Sequence, residues 1–207
     1  MCLIIHKPPG KAVPSDLIEA AVRFNTDGWG AMGFAASGRT IVTRWATTRA
    51  SDIQQFVDMR VDDELVLHLR FRTSGAADAH NLQPFEIVPG LFLMHNGEVD
   101  VPRRQADRSD TWHLVTDLLR PLLDRHQGLA LDRSFLRIFE QSLGPANRVV
   151  LLSRQDRRID ILNAAQGLAY KGLWLSGTRW IDQAILEIPA APQPQRRSYQ
   201  PQGLRFA

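Results

Sequence analysis

His68-Leu69-Arg70-Phe71-Arg72-Thr73-Ser74-Gly75 follows directly on Leu65-Val66-Leu67. The apolar run reads as a strand, extending over Glu64 to Phe71, whose far end carries two arginines, a histidine, a threonine and a serine. A strand with that ending either stops at the surface, leaving Arg70 as an edge charge, or delivers its polar groups to a ligand. The rest of the chain has to decide between these two readings.

Working outward, period-two apolar patterns predict strands over Cys2–His6, Gly30–Ala36, Thr40–Trp45, Leu91–His95, Arg148–Ser153 and Ile159–Asn163. Helical spacing predicts helices over Pro14–Phe24, Ser51–Met59 with Ser51 or its neighbour as cap, Thr111–His126 and Asp132–Leu143. Two early and two late helices, separated by blocks of strands, fit a layered α+β sandwich of two sheets better than a regular βαβ alternation. The 207 residues, 44% hydrophobic, suit one domain over residues 1–188. Residues 189–207, rich in Pro, Gln and Arg, read as a flexible tail.

Composition also excludes function classes. No stretch approaches the roughly 18 apolar residues of a membrane span, and no secretory leader precedes the first strand. One cysteine rules out an internal disulfide framework, which together with the missing leader predicts a soluble, cytoplasmic protein. The formal charge is +3. Its clusters, Arg103-Arg104-Gln105-Ala106-Asp107-Arg108 and Arg154-Gln155-Asp156-Arg157-Arg158, are interrupted by acids, which argues for solvated loops and against a nucleic-acid surface. His68, His80 and His95 sit at no metal-site spacing, so no metal is expected.

Two places carry chemistry of their own. Cys2 follows the initiator methionine, and removal of Met1 exposes a thiol and an α-amine on one residue. An α-amine titrates near about 8 and a thiol near about 8.5, so the amine is able to take the thiol proton and return it to a leaving group. The bland alternative is a small buried hydrophobe. Asn96-Gly97 reads either as a hairpin turn or as a pair of donors, amide and backbone N–H, aimed at one oxygen. Such donors contribute about 3 to 4 kcal/mol each when they hold a tetrahedral oxyanion.

With these pieces in view, the chain resembles the class II glutamine amidotransferases, whose glutaminase domains are N-terminal nucleophile hydrolases. The resemblance runs through Met1-Cys2, Asp27-Gly28-Trp29-Gly30, the His68–Gly75 stretch, Asn81-Leu82-Gln83-Pro84-Phe85, His95-Asn96-Gly97 and Ser109-Asp110-Thr111, in the family's order and spacing. It covers most of the first 115 residues or so and implies a four-layer αββα sandwich. Gly172-Leu173-Trp174-Leu175-Ser176-Gly177 is similar to a late strand of stand-alone members, and no recognisable synthetase domain follows.

The resemblance implies roles residue by residue. Cys2 would be the nucleophile; Asn96 and Gly97 would form the oxyanion hole. Arg70 would bind the α-carboxylate of L-glutamine, a match of planar guanidinium to carboxylate, with Thr73 beside it and Asp110 pairing the α-ammonium. Asp110 would also suit the N-cap of the following helix. No cofactor is implied, and the ammonia released would be used by a separate synthetase or transferase, with the Arg103–Ser109 loop closing over the site when that partner docks. Gln83 and Ser74 stand where the family often has histidine, and Arg72 where a small residue is common; these departures are expected at the pocket's edge. His68, His95, Trp29 and Trp112 are expected to be packing or support. Two alternatives stay open: hydrolysis of another amide, such as a γ-glutamyl compound, and a catalytically silent interaction module.

Overall fold

Strand alternation in β4 (Glu64–Leu69) sends Leu65, Leu67 and Leu69 into one apolar cluster and Val66 into another. In the computed structural model, which describes residues 2–185, β4 lies inside a six-stranded antiparallel sheet. The proposed tail at residues 189–207 falls outside the described residues. On one side of β4 are β2 (Trp29–Phe34) and then β3 (Thr40–Trp45). On the other are β1 (Leu3–Lys7), then β10 (Leu173–Leu175) and β9 (Leu168–Tyr170). Leu69 pairs with both Leu3 and Trp29, so the next positions along, Arg70 and Cys2, emerge side by side at one end of the sheet.

The second sheet is four-stranded and antiparallel, in the order β5 (Phe85–Val88), β6 (Leu91–Asn96), β7 (Arg148–Ser153), β8 (Arg158–Leu162). Helices α1 (Ser15–Val22) and α2 (Ala50–Asp58) bury Leu17, Ile18, Ile53 and Val57 against Leu3, Ile5, Leu65 and Leu67 of the first sheet. A later helical run comprises α3 (Asp110–His113), a π-helical turn at Leu114–Leu119 and α4 (Arg120–Arg125), followed by the separate α5 (Arg133–Leu143). These elements bury Leu114, Val115, Leu123 and Leu136 against Leu91, Leu93, Val149 and Leu151 of the second sheet. The third cluster joins the sheets themselves, Ile4, Met32 and Val66 meeting Met94, Val150 and Leu152. Each such side chain, fully buried, contributes about 1.5 to 3 kcal/mol.

Several expected boundaries move, for identifiable reasons. The helix read over Thr111–His126 starts at Asp110 and is widened by the π turn just before Pro121, which has no N–H to continue the α ladder. Its N-cap is Ser109, whose side chain accepts from the Trp112 N–H; Asp110 is the first helical residue and not the cap. Ser51 is inside α2, capped instead by the extended backbone of Arg49. Asn96 closes β6 opposite Arg148 of β7, and helices occupy the chain between them, so Asn96-Gly97 is not a hairpin turn. β5 and β9 are too short to leave a period in the sequence. Lys7, one residue past the expected end of the first strand, is fully buried, with Nζ donating to the carbonyls of Val61 and Asp63 at 2.7 Å each.

Gly33 pairs with Leu65, and a Cβ there would stand 1.9 Å from the Glu64 carbonyl oxygen. Gly33→Ala forces β2 and β4 apart. The expected cost is about 1 to 3 kcal/mol, read as a lower urea midpoint at unchanged m-value.

Candidate active site

Cys2 sits one residue before β1, where the first sheet meets the end of the second. Its backbone nitrogen donates to Asn96 Oδ1 at 3.0 Å, and its thiol contacts the Phe71 carbonyl oxygen at 3.6 Å. Burial pushes the thiol's pKa up, against smaller lowering by a backbone hydrogen bond of Phe71 and by the Arg70 charge. The resting sulfur is therefore a protonated thiol, and its ionisation calls for a base close by.

Arg70 is 3% exposed, which removes the edge-charge reading. Its Nη2 donates to the carbonyls of Ser74 and Ala76 at 3.2 and 3.1 Å, fixing the guanidinium plane, while Nη1 is buried without a partner among the described residues. An unsatisfied buried guanidinium nitrogen is costly in a protein that binds nothing there. Burial lowers the Arg70 pKa from its ordinary value. Asp110 is also buried: Oδ1 accepts from the Thr111 N–H at 2.9 Å and faces Ser74 Oγ at 3.3 Å, and Oδ2 accepts from the Val99 N–H at 3.0 Å. Cys2, Arg70, Thr73, Gly97 and Asp110 all line one cavity, and Asn96 reaches it through its bond to Cys2. Six residues from separated parts of the chain thus converge.

Around them lies a scaffold only partly visible in the sequence. His95 is buried, with Nδ1 at 2.9 Å from Thr111 Oγ1 and Nε2 at 2.9 Å from Asn147 Oδ1, so it is a support. Burial lowers its pKa. Gly97 has φ +148°, and a Cβ there would lie 2.0 Å from Asn147 Oδ1, so only glycine fits. Gln83 does more than edge the pocket: it is 5% exposed and grips the His95 backbone, Oε1 accepting from N–H at 2.5 Å and Nε2 donating to the carbonyl at 3.3 Å. Ser74 braces Asp110, and Arg72 is exposed, with its backbone N–H on Asp27 Oδ2 at 2.8 Å.

Two loops wall the cavity and are tied to one another. The Ala76 N–H donates to the Asp107 carbonyl at 2.8 Å, Asn81 Nδ2 donates to that same carbonyl at 2.8 Å, Asn81 Oδ1 accepts from the Ser109 N–H at 2.7 Å, and Arg108 pairs with Asp78 at 3.2 Å. The free space between them is ≈ 20 Å³, room for about one water, and is partly open to solvent. A larger cleft of ≈ 690 Å³ lies beyond the 79–85 segment, lined by Leu82, Phe85, Trp112 and Arg120 among others, and includes none of the six residues. Trp112 also packs against the second cluster, and Trp29 stacks on Trp45 with ring centroids 3.9 Å apart; both are packing residues. No group of three His, Cys, Asp or Glu among the described residues is placed to hold a metal ion. No described helix is long and apolar enough to cross a membrane.

No protein-family model matches the chain, and no curated protein matches it. Among solved structures, it is similar to the glutamine phosphoribosylpyrophosphate amidotransferase from B. subtilis, complexed with ADP and GMP, with a TM-score of 0.46 and 12% sequence identity. The likeness covers 87% of this chain and 42% of that one, so the chain spans less than half the length of that protein.

His68 is fully buried, with the His95 backbone as its ring's weak hydrogen-bond neighbour. Burial first, and then the Arg70 and His95 charges, lower its pKa from 6.5 to about 3. Below 6.5 the unfolded chain takes up a proton that the folded chain refuses until about 3. Stability from this residue is therefore full above 6.5 and is lost as pH falls toward 3. Denaturant titrations from pH 7 to 4 are expected to show that loss, and His68→Leu to flatten the slope.

Proposed function

We propose that the protein hydrolyses the side-chain amide of L-glutamine through a γ-glutamyl thioester on Cys2. The observation that carries this reading is the convergence on one cavity of a cysteine at the second position, an unsatisfied buried guanidinium and a buried carboxylate. Arg70 Nη1 and Asp110 offer opposite charges to the two charged groups of a free amino acid. Thr73 adds a hydroxyl on the Arg70 side. The burial of α1 and α2 on one sheet, α3 to α5 on the other, and the sheets on each other supports a four-layer αββα sandwich of the N-terminal nucleophile type.

Removal of Met1 turns the Cys2 nitrogen into a free amine beside Asn96 Oδ1. The amine accepts the thiol proton, and the sulfur attacks the γ-carboxamide carbon as the carbonyl electron pair moves onto oxygen. The Asn96 amide and the Gly97 N–H hold that oxyanion. Its collapse breaks the C–N bond, and the leaving nitrogen takes the proton from the Cys2 ammonium and departs as ammonia. Water, losing a proton to the amine, attacks the thioester; glutamate leaves and the thiol is restored. No step calls for a metal or organic cofactor.

A ≈ 20 Å³ cavity does not hold glutamine, so the tied loops part to admit it. The Arg103–Ser109 loop, expected to close only when a partner docks, is already tied at its 107–109 end, so a separate synthetase or transferase that uses the ammonia would raise a low resting turnover by loosening that tie at the mouth of the site.

A diazo-ketone analogue of glutamine should add one equivalent to the Met1-free protein, at Cys2. Cys2→Ala should lose both labelling and glutamine turnover; labelling that survives that change sinks the assignment. Arg70→Ala and Asp110→Ala should chiefly raise KM, whereas Asn96→Ala should lower kcat by about 10² to 10³-fold. Turnover of a γ-glutamyl compound but not of glutamine would move the reading to a different amide hydrolase.

A further inference from the structure

Ser176 is the last residue but one of Gly172-Leu173-Trp174-Leu175-Ser176-Gly177, far along the chain from Cys2, and is 1% exposed. The β1–β10 ladder pairs Ile5 with Leu175, and the next rung is irregular. Ser176 N–H donates to the Ile4 carbonyl at 2.9 Å, but the Ile4 N–H donates to Ser176 Oγ, also at 2.9 Å. The hydroxyl replaces a main-chain carbonyl as ladder acceptor. The same oxygen accepts from Asn96 Nδ2 at 2.7 Å.

With the Ile4 N–H on one lone pair and Asn96 Nδ2 on the other, Ser176 faces Asn96 as an acceptor in this orientation of the carboxamide. The opposite side of the carboxamide faces the Cys2 nitrogen, a donor. The Asn96 backbone is held by its pairing with Arg148, leaving rotation of the amide, which exchanges nearly isosteric oxygen and nitrogen. Only hydrogen bonding distinguishes the two orientations. In the observed one, one Nδ2 hydrogen is spent on Ser176, Oδ1 receives Cys2, and the second Nδ2 hydrogen is left for the site. Turned over, Nδ2 would oppose the Cys2 nitrogen and occupy the lone pair that the Met1-free amine needs for the thiol proton.

We infer that Ser176 is a positioning residue that locks the Asn96 carboxamide with its oxygen on Cys2 and its spare N–H on the reacting oxygen. The inference rests on the glutaminase reading of Cys2 and Asn96. Ser176 does not touch substrate; it acts through Asn96.

Two experiments test it. The first is steady-state glutamine turnover by Met1-free wild type, Ser176→Ala, Asn96→Ala and the double variant. Ser176→Ala should lower kcat about 10-fold with KM within about twofold, and should lower it no further once Asn96 is alanine. An unchanged kcat, or an equal fall in both backgrounds, overturns the inference. Should Ser176→Ala fail to fold, Ser176→Cys, a weaker acceptor of similar size, should give a smaller kcat fall with the same dependence on Asn96. The second is proton exchange of the Asn96 side-chain amide by NMR, which requires no turnover. One of its two hydrogens should be protected in the wild type and unprotected in Ser176→Ala or Ser176→Cys; two unprotected hydrogens in the wild type overturn the lock. A wild type that protects this hydrogen yet neither turns over glutamine nor labels at Cys2 would sink the glutaminase reading while leaving the lock in place.

Discussion

The hydrogen bond from the Cys2 nitrogen to Asn96 Oδ1 ties the start of the first sheet to the end of a strand in the second. Everything at the site depends on those two sheets stacking in one register. The apolar layer of Ile4, Met32, Val66, Met94, Val150 and Leu152 sets their spacing without direction, since hydrophobic burial is indifferent to small slides. Polar bonds supply the missing direction: Asn96 reaches across to Cys2 and Ser176, and His95, held between Thr111 and Asn147, fixes the end of β6 from which Asn96 reaches. A slip of one residue in β6 would send His95 and Asn96 to each other's faces and break all of them at once.

Burial and reactivity are balanced within a few ångströms. The same enclosure that keeps the Cys2 thiol protonated leaves Arg70 Nη1 without a partner and holds His68 neutral. A site of this kind carries its cost while unliganded, because charge and donors are taken from water before anything replaces it. The apolar clusters on either side of the sheets supply the stability that tolerates it.

The long elements were legible in the sequence because their periods run for several turns or pleats: β2, β3, β6 and β7, and the helices α1, α2 and α5. So was the convergence of Cys2, Arg70, Asn96, Gly97 and Asp110, carried by short motifs in a recognisable order. What escaped was set by contacts distant in sequence. Gln83 gripping His95, Asn81 bridging the two loops and Asn147 excluding a side chain at Gly97 have no local period or charge pattern. The burial of Lys7 depends on three carbonyls, two of them more than fifty residues away. The cap at Ser109 in place of Asp110 was a choice between adjacent residues that both suit the role, decided by where the Asp110 carboxylate is needed by Thr111 and Val99.

The two loops over the cavity share the Asp107 carbonyl, Asn81 and the Arg108–Asp78 pair, so neither swings out without the other. On the glutaminase reading they would act as one gate with a single equilibrium. For any occupant of amino-acid size, measured affinity is then the affinity of the open form multiplied by the fraction of time the gate stands open. Substitutions at Asp78 or Arg108, neither of which enters the chemistry, would retune how tightly the protein holds a ligand and how fast it lets one go. Selection acting on those surface charges has a route to the protein's working concentration range that leaves every reacting atom in place.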